Sequence, residues 1–466
     1  MTQQMPRIVA KFGGSNLKSA ADLHHIGDII EAYQQPIVIV VSAFFGVTNF
    51  LQEMLWKCRT DEQTILAGAD FLKNMKQELV NSVISDPILR AEAFEKIDFR
   101  LRQMTRYLLG VHYMGDAPSF AEDTVLSYGE QFSAAILSGL LKSRGLEAEE
   151  LLPDTLGLIT DGEFGNATVD FSASCQLVRK ALSKHSFAVI PGFYGISPAG
   201  KINLFGRGGS DYSAAALARI IQAESLDVWK DVNGFMSADP KLVRNVRQIP
   251  EISYTEAAEL AYFGAKILHP RTMEPLLDDS IPIRIFDSRK FRGSLKAASI
   301  VHEKREIHST IIKSVTYSDD FGVLQLAGPG VGIKPGILAM LTRELDRRGI
   351  NIKSVITAQT SINILLSLND LELAADLTRR AAPELVKNIT VQDDVALIAV
   401  VGEGILETPG LAAKVFGAVY EKRINVQIIS MGASPVAAYF LVDQKDRTEA
   451  VRAIHHSFIN NGVERV

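Results

Sequence analysis

Short apolar runs alternate with longer segments of helical periodicity over roughly the first 300 residues. The apolar runs predict strands at residues 7–10, 36–41, 187–193, 225–229 and 281–286. Apolar residues spaced three and four apart predict helices around residues 61–83, 89–108, 122–144, 170–183 and 255–264. Because strands that alternate with helices usually form a parallel sheet sandwiched by helices, this part of the chain is predicted to have an α/β fold.

The last third of the chain contains an internal repeat. The pair Pro335-Gly336 recurs as Pro409-Gly410, and Asn351 recurs as Asn425 at the same separation. Each copy predicts a strand, a Pro-Gly turn, a helix, an Ile-Asn turn and a second strand, which indicates a duplicated βαβ unit. A Pro-Gly turn leaves backbone N–H groups free at the start of its helix, which suits a small carboxylate ligand.

Composition narrows the class of protein. A chain of 466 residues is too long for one hydrophobic core, so two or three domains are expected. The net charge of −5 without a basic block argues against nucleic acid as a partner. No apolar run reaches the roughly 18–20 residues that span a bilayer, and the N-terminus lacks signal-peptide character. Two cysteines, Cys58 and Cys175, give neither a disulfide framework nor a zinc spacing, so we expect no protein-bound metal and a cytoplasmic location.

Three loops of glycine or small polar residues follow predicted strands. Gly206-Arg207-Gly208-Gly209-Ser210-Asp211 opens onto a helix, Lys11-Phe12-Gly13-Gly14-Ser15 places a cation beside two glycines, and the third loop is residues 42–49. Glycines let backbone N–H groups approach an anion, and a helix N-terminus carries partial positive charge. The loops therefore predict a phosphate site at the carboxyl edge of the sheet, although neither a Walker A loop nor a dinucleotide fingerprint is present.

Five segments together resemble the successive motifs of the aspartokinases. They are, in chain order, Lys11–Gly14, Gly206–Asp211, Asp231–Gly234, Ala238–Pro240 and Phe263–Pro270. The repeat near the end resembles the two ACT domains of that family, one of which is often inserted within the other. The resemblance covers essentially the whole chain and implies an amino-acid kinase fold followed by two βαββαβ domains.

The resemblance also implies domain boundaries and assembly. The expected domains are a catalytic domain at residues 1–300, one ACT domain at 314–390, and a second ACT domain made of 301–313 and 391–466. We expect a monofunctional enzyme, a homodimer or tetramer formed through the ACT domains, and inhibition by lysine, threonine or both. The expected effector contacts are Gly332, Ile333, Pro335, Gly336, Ile337, Leu338, Asn351, Ile352, Gln359 and Thr360.

The reaction implied by the resemblance is transfer of the ATP γ-phosphoryl group to the β-carboxylate of L-aspartate, which gives 4-phospho-L-aspartate and ADP. It opens the route to lysine, threonine and methionine. A carboxylate with a pKa near 3.9 is already ionised at neutral pH, so no general base is required. The protein must instead position two anions and neutralise the charge between them. Mg²⁺ is expected to arrive with ATP, held mainly by phosphates and water.

The resemblance assigns roles to individual residues. Lys11 contacts the γ-phosphoryl oxygens, Asp211 orients Lys11, Arg207 forms a fork to a substrate carboxylate and Glu130 accepts the substrate ammonium group. The other expected substrate contacts are Ser42, Thr48, Asn49 and Ser210. The expected nucleotide contacts are Gly13, Gly14, Ser15, Gly208, Gly209, Lys230, Asp231, Met236, Lys241 and Lys266.

The chain departs from the family pattern at four positions. Asn16 replaces the second of two hydroxyl residues, Lys230 stands where Thr is usual, Met236 where Tyr is common, and Lys241 where Arg is usual. These changes concern the nucleotide side more than the aspartate side. Two other functions stay open: a kinase of the same superfamily that acts on another acid or a nucleoside monophosphate, and an amino-acid-sensing protein whose kinase site has decayed.

Overall fold

The computed structural model describes residues 8–265, 267–307, 310–329, 331–381 and 388–460. The chain divides into two compact units. The first comprises residues 1–235, 248–258 and 266–305, and the second comprises residues 236–247, 259–265 and 306–466.

An α/β arrangement forms the first unit. Its strands are β1 (Ile8–Phe12), β2 (Ile37–Val41), β3 (Ala148–Glu150), β4 (Phe187–Pro191), β5 (Tyr194–Ile196), β6 (Ile202–Leu204), β7 (Leu226–Lys230), β8 (Glu251–Ser253), β9 (Ile283–Asp287) and β10 (Ser299–His302). Its helices are α1 (Ala20–Ala32), α2 (Val47–Lys57), α3 (Gln63–Val83), α4 (Pro87–Met114), α5 (Ser119–Ser143), α6 (Pro153–Leu156), α7 (Phe171–Leu182) and α8 (Gly209–Ile221). Helix α9 (Tyr254–Tyr262) begins in this unit and ends in the second.

One eight-stranded sheet carries the first unit, in the spatial order β3-β4-β2-β1-β7-β9-β10-β8. Every neighbouring pair from β3 to β9 is parallel, whereas β10 runs antiparallel to β9. All residues of β1 and β2 are buried, as their continuous apolar runs require of a parallel sheet covered on both faces. The predicted α/β fold with a mainly parallel sheet is confirmed.

The strand predicted at residues 187–193 is the one that ends early. β4 stops at Pro191, and Phe193 has a φ of 79°, which breaks the extended backbone. The chain then turns into the β5–β6 hairpin, which lies outside the main sheet.

A buried carboxylate joins strands of the sheet to helix α1. Asp227 on β7 accepts from Ser225 Oγ (2.7 Å), Tyr33 Oη (2.8 Å), and Arg284 Nε and Nη2 (both 2.7 Å). Trp229 Nε1 in turn donates to the Tyr33 hydroxyl at 2.9 Å. Every lone-pair direction of the carboxylate is used, so its burial is compensated by charge-assisted bonds.

Two four-stranded antiparallel sheets form most of the second unit. The strands are β11 (Ser314–Ser318), β12 (Gly322–Ala327), β13 (Ser354–Ala358), β14 (Ser361–Leu366), β15 (Asn388–Gln392), β16 (Val395–Val401), β17 (Ile429–Met431) and β18 (Ala437–Asp443). The helices are α10 (Ile337–Asp346), α11 (Leu368–Ala381), α12 (Leu411–Glu421) and α13 (Arg447–His455).

The two sheets have the same internal order. One reads β13-β14-β12-β15 and the other, in the matching direction, β17-β18-β16-β11. In sequence, β15 comes after α11, at the end of the segment that begins with β12. Its counterpart β11 comes before that whole segment. The βαββαβ module from β12 to β15 is therefore inserted into the other module.

The boundary expected at residue 314 is wrong by one strand. Ser314–Ser318 forms an antiparallel ladder with β16, from Ser314 opposite Val401 to Ser318 opposite Leu397, and so belongs to the module of β16–β18. A short run such as this carries no local signal of which sheet it joins, because that choice is made by a partner about 80 residues away.

Both repeated Pro-Gly turns lead into helices. Gly336 precedes α10 with a φ of 90°, and Gly410 precedes α12 with a φ of 77°, and neither helix has a side-chain cap. Glycine adopts this left-handed conformation without steric cost, and the first amides of each helix are left for solvent or a ligand. Within the described ranges, no helix is long and apolar enough to cross a membrane.

Substitution Asp227→Asn tests the buried network. The amide keeps the size but loses the charge that holds the Arg284 fork and the Tyr33 hydroxyl, so we expect a loss of about 2–3 kcal/mol in unfolding free energy. Urea unfolding followed by tryptophan fluorescence measures it. Asp278→Asn is the matched control, because its side chain is 76% exposed at an ion pair with Arg219 and should cost less than about 0.5 kcal/mol. Equal losses for the two variants would contradict this account.

Candidate active site

A cavity of about 640 Å³ opens at the carboxyl ends of β1 and β2 in the first unit. All three loops predicted from the sequence contribute to its wall, together with the first half of α5. Of the predicted residues, the structure brings these to the cavity: Lys11, Gly14, Ser15, Ser42, Thr48, Asn49, Glu130, Arg207, Gly208, Gly209, Ser210 and Asp211.

Two lysines share one carboxylate at the base of this region. Lys11 on β1 places Nζ 2.5 Å from Asp211 Oδ1, and Lys230 at the end of β7 donates from Nζ to Asp211 Oδ2 at 3.2 Å. Lys11 pairs with Val228 in the parallel ladder, so residues 11 and 230 project from the same face of the sheet. Asp211 reaches them from the first turn of α8.

Burial and neighbouring charges shift the pKa values of both the lysine and the aspartate in this cluster. Burial lowers the pKa of Lys11 and the ammonium of Lys230 lowers it further, while Asp211 opposes both. Burial alone would raise the pKa of Asp211, but Lys11 and Lys230 outweigh it and hold that pKa far below its usual range. Asp211 is therefore ionised at neutral pH, and the three side chains together carry excess positive charge.

Glu130 is a second buried carboxyl on the cavity wall. Its surroundings disfavour the ionised form, whereas those of Asp211 favour it. It is 4% exposed, and Ser210 Oγ donates to its Oε1 at a long 3.4 Å. Its Oε2 makes no hydrogen bond within the part of the chain that is described. Burial raises the pKa of Glu130 to about 8, although the Ala43 amide and Lys11 oppose the rise. Because Glu130 also lines the cavity, its carboxylate is suited to a cationic ligand group.

The glycine loop adopts the conformation that its sequence predicts. Gly206 and Gly208 both have a φ of 72°, and Gly208 caps the start of α8. A side chain at Gly208 would come within 2.4 Å of the Cβ of His269, so close packing as well as φ requires glycine there. Arg207, between the two glycines, is exposed on the cavity wall. His269 packs on this loop, in keeping with a structural role.

Arg271 fixes the outside of the same loop and was not predicted. Its Nη1 donates to Asn166 Oδ1 and to the carbonyl of Phe205, both at 2.7 Å, and its Nη2 donates to the carbonyl of Ala167 at 2.9 Å. The guanidinium also lies 4.7 Å from the ring centroid of Tyr212 on α8. Arg271 therefore joins three separate segments around the glycine loop, and no local pattern could have indicated those partners.

Asp123 on α5 was missed as well. Its Oδ2 accepts from the backbone amides of Gly165 and Leu204, both at 2.9 Å, and burial raises the pKa of Asp123 against these two donors. Asp123 thereby ties two cavity loops to α5. A signal was available: Asp123 and Glu130 are seven residues apart, which places them on one face of a helix.

The departure at Asn16 has a structural explanation. Its Nδ2 donates to the Trp229 carbonyl at 2.8 Å, and its Oδ1 accepts from Ser288 Oγ at 2.8 Å. The side chain is buried and both its nitrogen and its oxygen have a partner, so it fastens the first loop to β7. Asp231 lies nearby, half exposed, with its Oδ2 3.9 Å from Lys18 Nζ.

Some expected nucleotide contacts are not gathered at the cavity wall. Gly13 lies behind it, where its amide donates to the Trp229 carbonyl at 3.5 Å. Met236 and Lys241 belong to the second unit, in which the Met236 carbonyl accepts from Ser314 Oγ at 2.8 Å. Lys266 lies outside the described residues. The nucleotide roles of these residues stay predictions.

The expected effector contacts fall into two groups in the inserted module. The Gly332 amide donates to the Gln359 carbonyl at 3.2 Å, and a Cβ at Gly332 would overlap the Ala358 carbonyl. Thr360 is also close, since its carbonyl accepts from the Gly328 amide at 3.0 Å. The turn residues Ile333, Pro335 and Gly336 are exposed, as is Asn351, whereas Ile337, Leu338 and Ile352 pack into or against the core of the module.

This arrangement can hold two anions side by side. Lysine ammonium groups, Arg207 and the amides at the start of α8 suit phosphate and carboxylate, and Glu130 suits an ammonium group. Among the described residues, no group of three or more His, Cys, Asp or Glu could hold a metal ion.

Comparisons with known proteins agree with this geometry. The family model of the amino acid kinase family matches residues 6–287, and that of an ACT domain matches residues 398–458. Aspartokinase 1, chloroplastic, of Arabidopsis thaliana is 29% identical over 97% of this chain and 80% of its own length. Two solved structures of Escherichia coli aspartokinase III are 26% identical over 97% of this chain and 99% of theirs. The complex with aspartate and ADP has a TM-score of 0.81, and the complex with lysine and aspartate has 0.79. On this match, the chain belongs to the amino acid kinase family and, within it, to the aspartokinases with C-terminal ACT domains.

Proposed function

We propose that this protein is an aspartate kinase that transfers the γ-phosphoryl group of ATP to the β-carboxylate of L-aspartate and releases ADP. One observation carries the proposal: Lys11, Asp211, Arg207 and the orphaned Glu130 meet in a single cavity at the carboxyl edge of the sheet. The Escherichia coli relative solved with aspartate and ADP supports this pair of ligands. An amino acid with a free ammonium group and two carboxylates would use the cation, the carboxylate fork and the ammonium acceptor together.

The chemistry requires little proton transfer. The acceptor carboxylate is ionised at neutral pH, so its oxygen attacks the γ-phosphorus directly while the bond to the β-phosphate oxygen breaks. Lys11 and the amides of the glycine loop stabilise the charge on the transferred group. Mg²⁺ bound to ATP would neutralise the phosphate oxygens, and Arg207 and Glu130 hold the substrate at its carboxylate and ammonium groups.

We extend the proposal to regulation and assembly. The two ACT modules support lysine or threonine as an effector bound near the Pro335-Gly336 turn, and the lysine complex of the Escherichia coli relative favours lysine. Kinase assays with lysine, with threonine and with both distinguish the end products. A homodimer or tetramer formed through these modules follows from the family arrangement, and sedimentation equilibrium measures it. The two free cysteines support a reducing, cytoplasmic setting.

A coupled ADP-release assay tests the function. With L-aspartate, L-glutamate and N-acetylglutamate compared at equal concentration, we expect kcat/KM to be at least about tenfold higher for aspartate, because glutamate is one methylene longer between its carboxylates and N-acetylglutamate has no ammonium group to pair with Glu130. Lys11→Ala is the control for adventitious activity, and its kcat should fall by about a hundredfold or more with the fold unchanged by circular dichroism. Equal turnover of the three acids, or an active Lys11→Ala variant, would refute the proposal.

Arg207→Lys tests the carboxylate fork. Lysine keeps the charge but loses the two parallel N–H donors, so KM for aspartate should rise by about tenfold while KM for ATP changes by less than about twofold. Steady-state kinetics with each substrate varied in turn measure both values. An aspartate KM equal to that of the parent protein would remove Arg207 from this role.

The pH dependence follows from Glu130. Its pKa of about 8 leaves the carboxyl mostly protonated at pH 6.5, and the neutral form cannot compensate the charge of the substrate ammonium. We therefore expect kcat/KM for aspartate to rise by about twentyfold between pH 6.5 and 8.5, with an apparent pKa near that of Glu130. In Glu130→Gln this rise should vanish and kcat/KM should stay low throughout. A flat profile in the parent protein would contradict the assignment.

A further inference from the structure

Lys230 is a chain-specific residue whose position the proposed function does not explain. It stands where Thr is usual among the aspartokinases that this chain resembles. The described wall of the cavity does not include it, yet it reaches the buried carboxylate on which Lys11 depends, at 3.2 Å from Asp211 Oδ2. Its side chain is 18% exposed and that of Asp211 8%, so the contact is largely shielded from water.

Lys11 is needed by two different partners, Asp211 and the γ-phosphoryl group. The contact between Lys230 and Asp211 lets Lys11 leave the first for the second. In the free site its ammonium lies 2.5 Å from Asp211 Oδ1, but phosphoryl transfer needs the same ammonium on the γ-phosphoryl oxygens. If Asp211 had no other cation, moving Lys11 away would leave a buried carboxylate unpaired beside an incoming anion. Breaking a buried pair in this way is far more costly than breaking one at the surface.

We infer that Lys230 is a positioning residue that keeps Asp211 neutralised while Lys11 transfers from Asp211 to the γ-phosphoryl group. This inference rests on the proposed kinase activity and adds to it. On this inference Lys230 acts through Asp211 and Lys11, in place of the direct nucleotide contact that the resemblance implies for it. Its strand position makes this possible: β7 lies directly beside β1, so the two lysines approach the two oxygens of one carboxylate from adjacent strands.

The charge count distinguishes this role from simple attraction of phosphate. With both lysines present the cluster carries one net positive charge, and it keeps a paired Asp211 after Lys11 has moved. The role therefore matters most for a ligand that has a γ-phosphoryl group to draw Lys11 away. A nucleoside diphosphate leaves Lys11 on Asp211 and should depend on Lys230 much less.

Binding of a non-hydrolysable ATP analogue and of ADP, each with Mg²⁺, tests the inference by calorimetry on the full chain. Lys230→Thr introduces the residue usual in the family and so should fold. We expect it to weaken analogue binding by about tenfold and ADP binding by less than about threefold, and to lower kcat about tenfold with the aspartate KM unchanged. Lys230→Arg, which keeps the charge, should restore most of the loss. Lys290→Thr removes an exposed lysine near the same strand ends and is the matched control.

A double substitution separates action through Asp211 from direct action on phosphate. In an Asp211→Asn background no carboxylate remains to be neutralised, so adding Lys230→Thr should change analogue binding by less than about twofold. A full tenfold loss in that background, equal losses for analogue and ADP, or no loss in Lys230→Thr would each overturn the inference. If the parent protein binds nucleotide with the expected pattern but does not phosphorylate aspartate, the proposed function fails and this inference stands.

Discussion

The buried ion cluster around Asp211 is the interaction on which the rest of the site depends. The carboxylate of Asp211, whose side chain is 8% exposed, is held between two ammonium groups, at 2.5 Å and 3.2 Å, and each group comes from a different element. Such a cluster is stable only if its geometry is fixed, because a displaced partner leaves a desolvated charge. The parallel pairing of β1 with β7 and the position of the first turn of α8 therefore have to be maintained closely.

Several contacts of the first unit maintain that geometry. Asn16 fastens the loop after β1 to the Trp229 carbonyl on β7, and the Asp227 network holds the same strand to β9 and α1. On the other side, Arg271 and Asp123 hold the segments that flank the glycine loop. The loop glycines give the backbone its shape, but these buried polar bonds determine where it lies. The site is positioned by its surroundings as much as by its motifs.

Features that depend on neighbouring residues could be predicted from the sequence. Features that depend on a partner far along the chain could not. The glycine loops and Lys11 are local motifs next to strand ends, whereas Glu130 was expected only from the family resemblance, and the structure brings them all to one cavity. Arg271 could not be found this way, since its hydrogen bonds to these segments reach 66 to 105 residues along the chain. The membership of β11 was misjudged for the same reason. Lys230 was recognised as a departure from the family, but its contact with Asp211 depends on which strands are neighbours, and that is decided by the whole sheet.

Two buried carboxyls in one cavity are driven to opposite protonation states. Asp211 stays ionised between two lysines, whereas Glu130, with one oxygen unpaired, is mostly protonated at neutral pH. The empty site is consequently more positive than its residue types suggest, which favours the arrival of anions. A triphosphate or a simple dicarboxylate leaves Glu130 neutral and its second oxygen unpaired. Only a ligand that brings its own ammonium group compensates the ionised form of Glu130, so the cavity distinguishes an amino acid from other dicarboxylates by the protonation that the ligand itself induces.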